Sequence, residues 1–200
     1  NTGSVNDATL KIARALLQGE QKAILLGNAA AHHAQADALL SLAQWIGDQT
    51  CATVGYLTEA ANTVGAQWVK ALPGKGGHNA TQMLTGCLKC VMLFNTEPQW
   101  DSAAGVQALM ALDKAEMVVT FSPFKANMEF SDVLLPMAPF TETSGSFVNA
   151  EGRLQSFHAV VKPRGEKRPG WKILRVLANL LDVSGFDFET SQDVLAQSTG

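Results

Sequence analysis

The sequence lacks the features that identify several large classes of protein. Only 16% of its 200 residues are charged, and its net charge of −3 leaves no basic surface for nucleic acid. No apolar run reaches the length of about 20 residues that a membrane-spanning helix needs, so no direct membrane insertion is expected. The chain has three cysteines, a number that is typical of proteins in a reducing cytoplasm.

The sequence also lacks the common catalytic and phosphate-binding motifs. Neither a nucleophile elbow nor a zinc-protease helix is present. The glycines between Leu72 and Gln82 resemble a phosphate loop, but Asn79 stands where the dinucleotide-binding pattern needs glycine. A flexible connection is therefore the favoured interpretation of this segment. We expect no catalytic residue in the chain.

The cysteines are too few for a metal site. Cys87 and Cys90 form a CxxC pair, but a structural zinc or an iron–sulfur cluster takes about four ligands, and only Cys51 remains. The pair leads into an apolar strand, whereas a reactive pair ordinarily lies at the start of a helix. We interpret these cysteines as buried and unreactive, and we expect no bound metal.

What the sequence does contain is an alternation of apolar segments and amphipathic helices. Helical spacing predicts helices after Asn6, from about 33 to 46, and after residue 101 with Val106, Leu109 and Met110 facing inward. Buried strands are predicted at 23–26, 51–57, 89–95, 116–121 and 132–136. This alternation predicts an α/β fold, with a doubly wound, mostly parallel Rossmann-like sheet and helices on both of its faces.

The pattern changes after the last predicted strand. A hairpin is predicted with its turn at Asn149 to Gly152, followed by a basic loop and a packing helix that begins near Trp171. The inner face of this helix is expected to carry Ile173, Leu177 and Leu181, with Leu174 and Leu180 beside it. We predict a nucleotide-fold domain over residues 1–140 and a wrapping arm over 141–200 within the same compact unit.

Two carboxylates in this second region allow two interpretations. Glu142 and Glu151 could act as an acid–base pair, although their spacing along the chain does not establish that they face each other. Alternatively, Arg153 pairs with one of them, and Gly145 and Gly152 set the backbone of two turns at positive φ. We favour the structural interpretation.

Four segments carry a resemblance to a known family. They are FSPFKANMEFSDVLLPMAPFTETSGSFVNAEGRLQ at 121–155, TEAANTVGAQWVKALPG at 58–74, CVMLFNTEPQWD at 90–101 and PGWKILRVLANLL at 169–181. The first resembles the "ADVVLP … E..GT..N.EGR.Q" stretch of the molybdopterin-dinucleotide oxidoreductase superfamily. The others are similar to segments of the large iron–sulfur subunit family of bacterial NADH–quinone oxidoreductase, which is respiratory complex I.

The resemblance implies a structural role for the longest of these segments. In this family the segment leaves the nucleotide-fold sheet and wraps back, so that it turns the chain. The residues that match this structural signature are Pro136, Glu142, Gly145, Asn149, Glu151, Gly152, Arg153 and Gln155.

The sequence also departs from the superfamily. Lys125, Ala126 and Asn127 stand where the enzymes usually carry Thr-Glu-Thr ahead of the ADVVLP motif. The metal-ligating residue of the superfamily belongs to another domain and has no counterpart in this sequence. The resemblance therefore implies a carboxy-terminal piece of the subunit, without a cofactor of its own. Iron–sulfur clusters are expected in the absent amino-terminal part.

The function implied is that of a scaffold and interaction domain, a pterin-binding domain that has lost its cofactor. It would belong to the subunit that carries electrons from NADH toward quinone. Its expected partners are the other hydrophilic subunits of complex I, on the cytoplasmic side of the bacterial inner membrane, where the protein would be peripheral.

The alternative is a working molybdopterin-dinucleotide domain of a molybdenum or tungsten enzyme such as a formate dehydrogenase. The cofactor would then lie at the carboxyl ends of the strands, with Gly27, Asn28, Asn62, Asn95 and Glu97 as the candidate contacts. A third possibility, a free-standing nucleotide-binding enzyme, would need a phosphate loop that the sequence does not contain.

Overall fold

The computed structural model describes residues 5–199, whose contacts divide the chain into two compact units. The described residues up to Gly65 form the first unit together with Val148–Arg153. The second unit comprises Ala66–Phe147 and the described residues from Leu154 onward. The domain boundary that the sequence suggests after residue 140 stays a prediction.

All five strands predicted before residue 137 are confirmed, with small shifts at their ends. The strands are β1 Ala23–Leu26, β2 Thr53–Tyr56, β3 Cys90–Phe94, β4 Met117–Ser122, β5 Val133–Pro136, β6 Gly145–Val148 and β7 Leu154–Phe157. The helices are α1 Asp7–Gln18, α2 Asn28–Ala31, α3 Ala36–Thr50, α4 Thr63–Trp68, α5 Ala80–Thr85, α6 Pro98–Asp101, α7 Val106–Leu112, α8 Gly170–Leu180 and α9 Ser191–Thr199. In the part of the chain that the structure describes, no helix is long and apolar enough to cross a membrane.

The first unit contains a parallel pair of strands, β1 and β2, joined by α2 and α3. Helix α3 continues through Gly47, where the sequence suggested that it would stop. A Cβ atom on Gly47 would lie 2.5 Å from Val54 Cγ2, so this glycine allows the helix to pack closely on β2. The helix ends at Cys51, whose left-handed backbone (φ 56°) forms the cap.

The second unit contains a three-stranded parallel sheet in the order β3-β4-β5. Leu93 of β3, Val118 of β4 and Leu112 of α7 form its buried apolar cluster, and Val91 and Phe130 pack against them. Parallel strands flanked by helices therefore occur in both units. The predicted Rossmann-like α/β class is confirmed.

The predicted inward face of α7 is wrong for two of its three residues, since only Leu109 is half-buried. Val106 and Met110 are 71% and 58% exposed, whereas Ala108 and Leu112 are buried. The helix begins at Val106, after a separate short helix at Pro98–Asp101. Ala108 and Leu112 are four positions apart, so they share the face that the helix buries.

Helices α5 and α9 are among those that the sequence analysis did not predict. Helix α5 follows the glycines of the apparent phosphate loop, and Asn79 caps it through a reciprocal pair of hydrogen bonds with Gln82, each 2.9 Å long. Asn79, at the position where the dinucleotide pattern needs glycine, therefore serves as the N-cap of a helix. Helix α9 lies in the weakly patterned tail and is stabilised at its start by Asp193, whose carboxylate accepts hydrogen bonds from two backbone N–H groups.

The cysteines are exposed rather than buried, which corrects the interpretation drawn from the sequence. Cys90 opens β3, whose side chains alternate between exposed and at least partly covered positions, so an apolar strand composition did not imply burial on both faces. Among the described residues, no group of three or more histidine, cysteine or acidic side chains is placed to hold a metal. The expectation of a metal-free chain stays a prediction.

Candidate functional site

In the second unit, the turn after β3 carries two of the candidate cofactor contacts, Asn95 and Glu97. Asn95 has a left-handed backbone (φ 52°), and its N–H donates to the carbonyl of Phe121 over 2.8 Å. The N–H of Glu97 donates to Asp101 Oδ2 over 2.7 Å, which fixes the start of α6. The backbone donors of both candidate residues are therefore already used inside the unit.

The side chains around this turn bind one another as well. Ser122 at the end of β4 donates to Glu97 Oε1 over 3.2 Å. The buried carboxamide of Asn127 donates from Nδ2 to the carbonyl oxygen of Thr96 over 2.9 Å. These bonds connect the loop after β4 to the turn after β3, where a ligand would have to bind if the domain held a cofactor.

The same turn is chemically unsuited to the phosphates of a dinucleotide. Phosphate binding uses free backbone N–H groups or cationic side chains. At this turn the N–H groups of Asn95 and Glu97 have partners, and the carboxylates of Glu97 and Asp101 lie beside it. Two carboxylates would repel an anionic group, so these residues do not fit the pyrophosphate of a molybdopterin dinucleotide.

In the first unit, Gly27 and Asn28 form the turn between β1 and α2. The carbonyl of Gly27 accepts from the N–H groups of Ala30 and Ala31, and no atom lies within 4 Å of where its Cβ would be. The space beside this glycine is open. However, α2 has only four residues and receives no side-chain cap. The turn therefore has space for a ligand but no preformed site for an anion.

Asn62, the remaining candidate contact, also has an internal partner in the first unit. Its Oδ1 accepts a hydrogen bond from the N–H of Val148 over 2.8 Å, although the two residues are 86 positions apart in the chain. This bond ties the hairpin turn to the segment before α4. The side chain of this candidate ligand contact thus holds the hairpin turn in place.

The predicted hairpin turn is confirmed. Asn149 Oδ1 accepts from the N–H groups of Glu151 and Arg153, and its carbonyl accepts from Gly152. Gly152 has φ +80°, a conformation that side chains with a Cβ disfavour. These two residues form the turn between β6 and β7 as the motif implies, while the side chains of Glu151, Arg153 and Gln155 are exposed.

Gly145 has a different role from the one predicted, because its φ is not positive. A Cβ atom at this position would lie 2.8 Å from Cζ of the Phe157 ring and 3.0 Å from its Cε1. The ring of Phe157 also packs against Phe147, with their centroids 5.2 Å apart. Gly145 therefore allows an aromatic ring of β7 to cover the backbone of β6, which is a requirement for space rather than for backbone conformation.

Glu142 is paired with a residue that the sequence analysis did not identify. It is only 7% exposed, and its Oε1 accepts a hydrogen bond from Lys167 Nζ over 2.6 Å. The prediction that Arg153 pairs with Glu142 or Glu151 is wrong, since Arg153 forms no ion pair within the described range. Lys167 is half-buried and lies in the basic loop, so the pair attaches this loop to the helical turn at Phe140–Glu142.

The ion pair sets the protonation state of Glu142. The hydrogen bond from Lys167 holds the pKa of the carboxyl below its ordinary value of 4.5, and this outweighs the opposing effect of burial. Glu142 is thus ionised at neutral pH. A general acid needs a proton near neutral pH, so this environment favours the structural interpretation of Glu142 over the catalytic one.

The lowered pKa of Glu142 predicts a specific pH dependence of stability. The folded protein binds this proton less tightly than the unfolded chain, so the stabilisation is present above about pH 4.5 and is lost as the pH falls through the lowered pKa. We expect Glu142→Gln to flatten the decline of the melting temperature in that acidic range. Thermal unfolding across the range measures this, with Glu151→Gln as the control. Equal slopes for wild type and Glu142→Gln would contradict the assignment.

Pro136, the first residue of the motif, lies at the end of the edge strand β5. Its carbonyl accepts from the N–H of Arg168 over 3.3 Å, and the N–H of Ala138 donates to the carbonyl of Arg168 over 2.8 Å. The basic loop therefore continues the hydrogen bonding of this strand. Proline is tolerated there because it occupies the end of a strand at the edge of the sheet.

Sequence reasoning missed the polar residues that hold these loops. Asn127 is 3% exposed and Ser122 is 2% exposed, so both are buried polar groups with partners. The departure at Lys125, Ala126 and Asn127 was noted, but nothing in the local pattern indicated that Asn127 would point inward. No periodicity exists in a loop from which burial could have been deduced.

Comparison with known proteins identifies the family and several relatives of this chain. A family model described as molybdopterin oxidoreductase matches residues 3–180. A probable oxidoreductase of Bacillus subtilis is 30% identical over 128 residues, which are 63% of this chain and 13% of that protein.

Two further relatives match shorter segments. A putative formate dehydrogenase of Staphylococcus aureus is 46% identical over 59 residues, 30% of this chain and 6% of that protein. The mitochondrial NADH-ubiquinone oxidoreductase 78 kDa subunit of Candida albicans is 47% identical over 53 residues, 26% of this chain and 7% of that subunit. The chain thus spans a small part of the length of these relatives. Because the family match extends over most of its residues, the chain belongs to the molybdopterin oxidoreductase family.

Proposed function

We propose that this chain is a scaffold and interaction domain of an oxidoreductase assembly of the complex I type, in the subunit that carries electrons from NADH toward quinone. In this proposal it is a pterin-binding domain of the family that has lost its cofactor. Its partners are the other hydrophilic subunits of the assembly. The protein is peripheral, on the cytoplasmic side of the bacterial inner membrane.

The observation that carries the proposal is the use of the candidate cofactor residues inside the fold. At the carboxyl ends of β3 and β4, where the fold class binds its ligands, Glu97 accepts from Ser122 and Asn127 donates to Thr96. The carboxylates at this edge oppose an anionic dinucleotide. The match with the 78 kDa subunit supports the choice of assembly within the family.

The alternative is a working domain that binds molybdopterin dinucleotide in a molybdenum or tungsten enzyme. Two observations favour it: the open space beside Gly27 and the 46% identity with a putative formate dehydrogenase. In that case Gly27 and Asn28 would contact the cofactor, which supplies the redox chemistry when it is bound. The chain itself would only hold and orient it.

Analysis of the purified full-length protein separates the two functions. We expect no stoichiometric molybdenum or tungsten, and no organic phosphate released from this domain on denaturation. A guanine nucleotide represents the nucleotide part of such a cofactor and can be used as a probe. Titration with it is expected to show no binding with a micromolar or lower Kd, which would correspond to about −8 kcal/mol or tighter. Tight binding that Asn28→Ala or Asn95→Ala abolishes would overturn the scaffold proposal and establish the alternative.

A further inference from the structure

Helix α8 in the second unit has an apolar exposed face, where a surface helix ordinarily carries polar residues. The sequence predicted that Leu180 and Leu181 pack inward, but they are 77% and 65% exposed, and Val176 is also exposed. The helix packs instead through its half-buried residues and the buried Gly170 and Ala178. An exposed row of large apolar side chains on one helix indicates a contact surface.

A groove of about 580 Å³ runs along this face, and we call it the α8 groove. Its apolar lining comes from Leu135 of the edge strand β5 and from four residues of α8, which are Ile173, Val176, Leu177 and Leu180. Val176 and Leu180 are four positions apart, so they lie on one line along the helix. A groove of this shape accommodates the apolar stripe of a second helix.

All the charged residues that line the α8 groove are cations, namely Arg168, Lys172 and Arg175. Within the described part of the chain, neither Lys172 nor Arg175 pairs with a carboxylate, and Arg168 reaches only the exposed Glu166 at 3.9 Å. Arg175 is held in place by donating from Nη1 to the carbonyl of Phe188 over 2.5 Å. The groove is thus positively charged on a chain whose net charge is −3.

Two of the three cations lie near the start of α8, the third, Arg175, lies midway along the helix, and Leu180 lies at its far end. Arg168 precedes α8 and Lys172 lies in its first turn, whereas Leu180 is its last residue. A helix bound in the groove would therefore place its leucine-like residues along the floor and its carboxylates toward the start of α8. Complementary charge at one end would also fix the direction in which such a helix binds.

We propose that the α8 groove binds an amphipathic helix of a partner protein whose apolar stripe is flanked by acidic residues. This inference deepens the proposed scaffold function, because it identifies a surface through which the domain would hold a neighbouring subunit. The assignment of the partner to the same assembly rests on the proposed function. The chemistry of the groove does not.

The first test uses a fluorescent synthetic helix of about 16 residues, a length at which an amphipathic peptide begins to hold helical structure. The peptide carries leucine on one face and glutamate on the other, and a second peptide has lysine in place of every glutamate. Anisotropy titration is expected to show binding of the glutamate peptide, weakening as salt is raised. The lysine peptide is expected to bind at least about tenfold more weakly, a difference of about 1.4 kcal/mol.

Matched variants locate the binding site. Leu180→Asp places a charge on an exposed side chain in the groove and is expected to weaken peptide binding at least about tenfold. Val160→Asp makes the same change at an 82% exposed valine outside the groove and is expected to leave binding unchanged. Lys172→Glu should weaken binding of the glutamate peptide, with Lys114→Glu as its charge-matched control. Equal effects of Leu180→Asp and Val160→Asp would overturn the proposal.

The second test identifies the natural occupant. A photoreactive amino acid at Val176 is expected to cross-link, in the purified assembly, to an acidic amphipathic helix of another polypeptide. Cross-linking to a second copy of this chain or to another segment of the same polypeptide would overturn the proposal. Sedimentation of the isolated protein shows whether a second copy is the occupant. In that case the protein would be a dimer, and Leu180→Asp would dissociate it. Neither test depends on cofactor binding, so a failure here is distinguishable from a failure of the scaffold function.

Discussion

Replacing Asn127 by leucine is expected to lower the free energy of unfolding by about 1–3 kcal/mol. Leucine has the same branching and number of heavy side-chain atoms as asparagine but cannot donate the hydrogen bond that Nδ2 makes to the carbonyl of Thr96. Because Asn127 is buried, water does not readily replace the lost donor, and the carbonyl is left without this partner. Chemical denaturation measures the change.

The control for this prediction is Asn179→Leu, on the exposed surface of α8, which is expected to change stability by less than about 0.5 kcal/mol. The result also discriminates between the two functions proposed for this edge of the sheet. A ligand-binding asparagine would tolerate the substitution in the ligand-free protein and lose only binding. An unchanged stability of Asn127→Leu would therefore contradict the structural role of this residue.

The parallel α/β architecture was predictable because its signal is periodic. Strand β3 is a continuous apolar run, β4 is largely apolar, and the hydrophobic spacing of α8 is helical, so their existence and type followed from the sequence. The hairpin was predictable from its turn, since asparagine followed closely by glycine is typical of a turn. These are local properties, which one segment of sequence can express without reference to its neighbours.

The exposure of particular side chains was less predictable. An apolar pattern shows which face of a helix is hydrophobic, but it does not show whether another element of the same chain covers that face. Leu180 and Leu181 were expected to pack inward and are exposed, and the cysteines were expected to be buried and are exposed. A surface that binds a partner is apolar for the same physical reason as a core, so the sequence alone could not separate the two.

The polar pairs of the candidate site were not predictable either, because each joins residues that are far apart in sequence. Glu142 lies 25 positions from Lys167, and Asn62 lies 86 positions from Val148. The nearby Arg153 was a reasonable partner for Glu142 by proximity along the chain. Only the path of the basic loop, which returns Lys167 to the short helical turn at Phe140–Glu142, shows which cation is close.

Valine at Gly145 and valine at Gly152 are each expected to destabilise the protein by about 1–3 kcal/mol, for different physical reasons. At Gly145 the new side chain would overlap the ring of Phe157, because even a Cβ atom would lie 2.8 Å from Cζ. At Gly152 the space is open, with no atom within 4 Å of the added Cβ. The cost there comes from φ +80°, which a β-branched residue strongly disfavours.

The two causes predict different rescues, which denaturation of single and double mutants would measure. Phe157→Leu should recover part of the stability lost in Gly145→Val, since it removes the overlapping ring atoms, and the two mutations should couple by at least about 0.5 kcal/mol. The same change should give no recovery in Gly152→Val, whose strain lies in its own backbone. Gly152→Asn should instead cost less than Gly152→Val, because asparagine tolerates positive φ. Additive effects of Gly145→Val and Phe157→Leu would show that ring overlap is not the reason for glycine in β6.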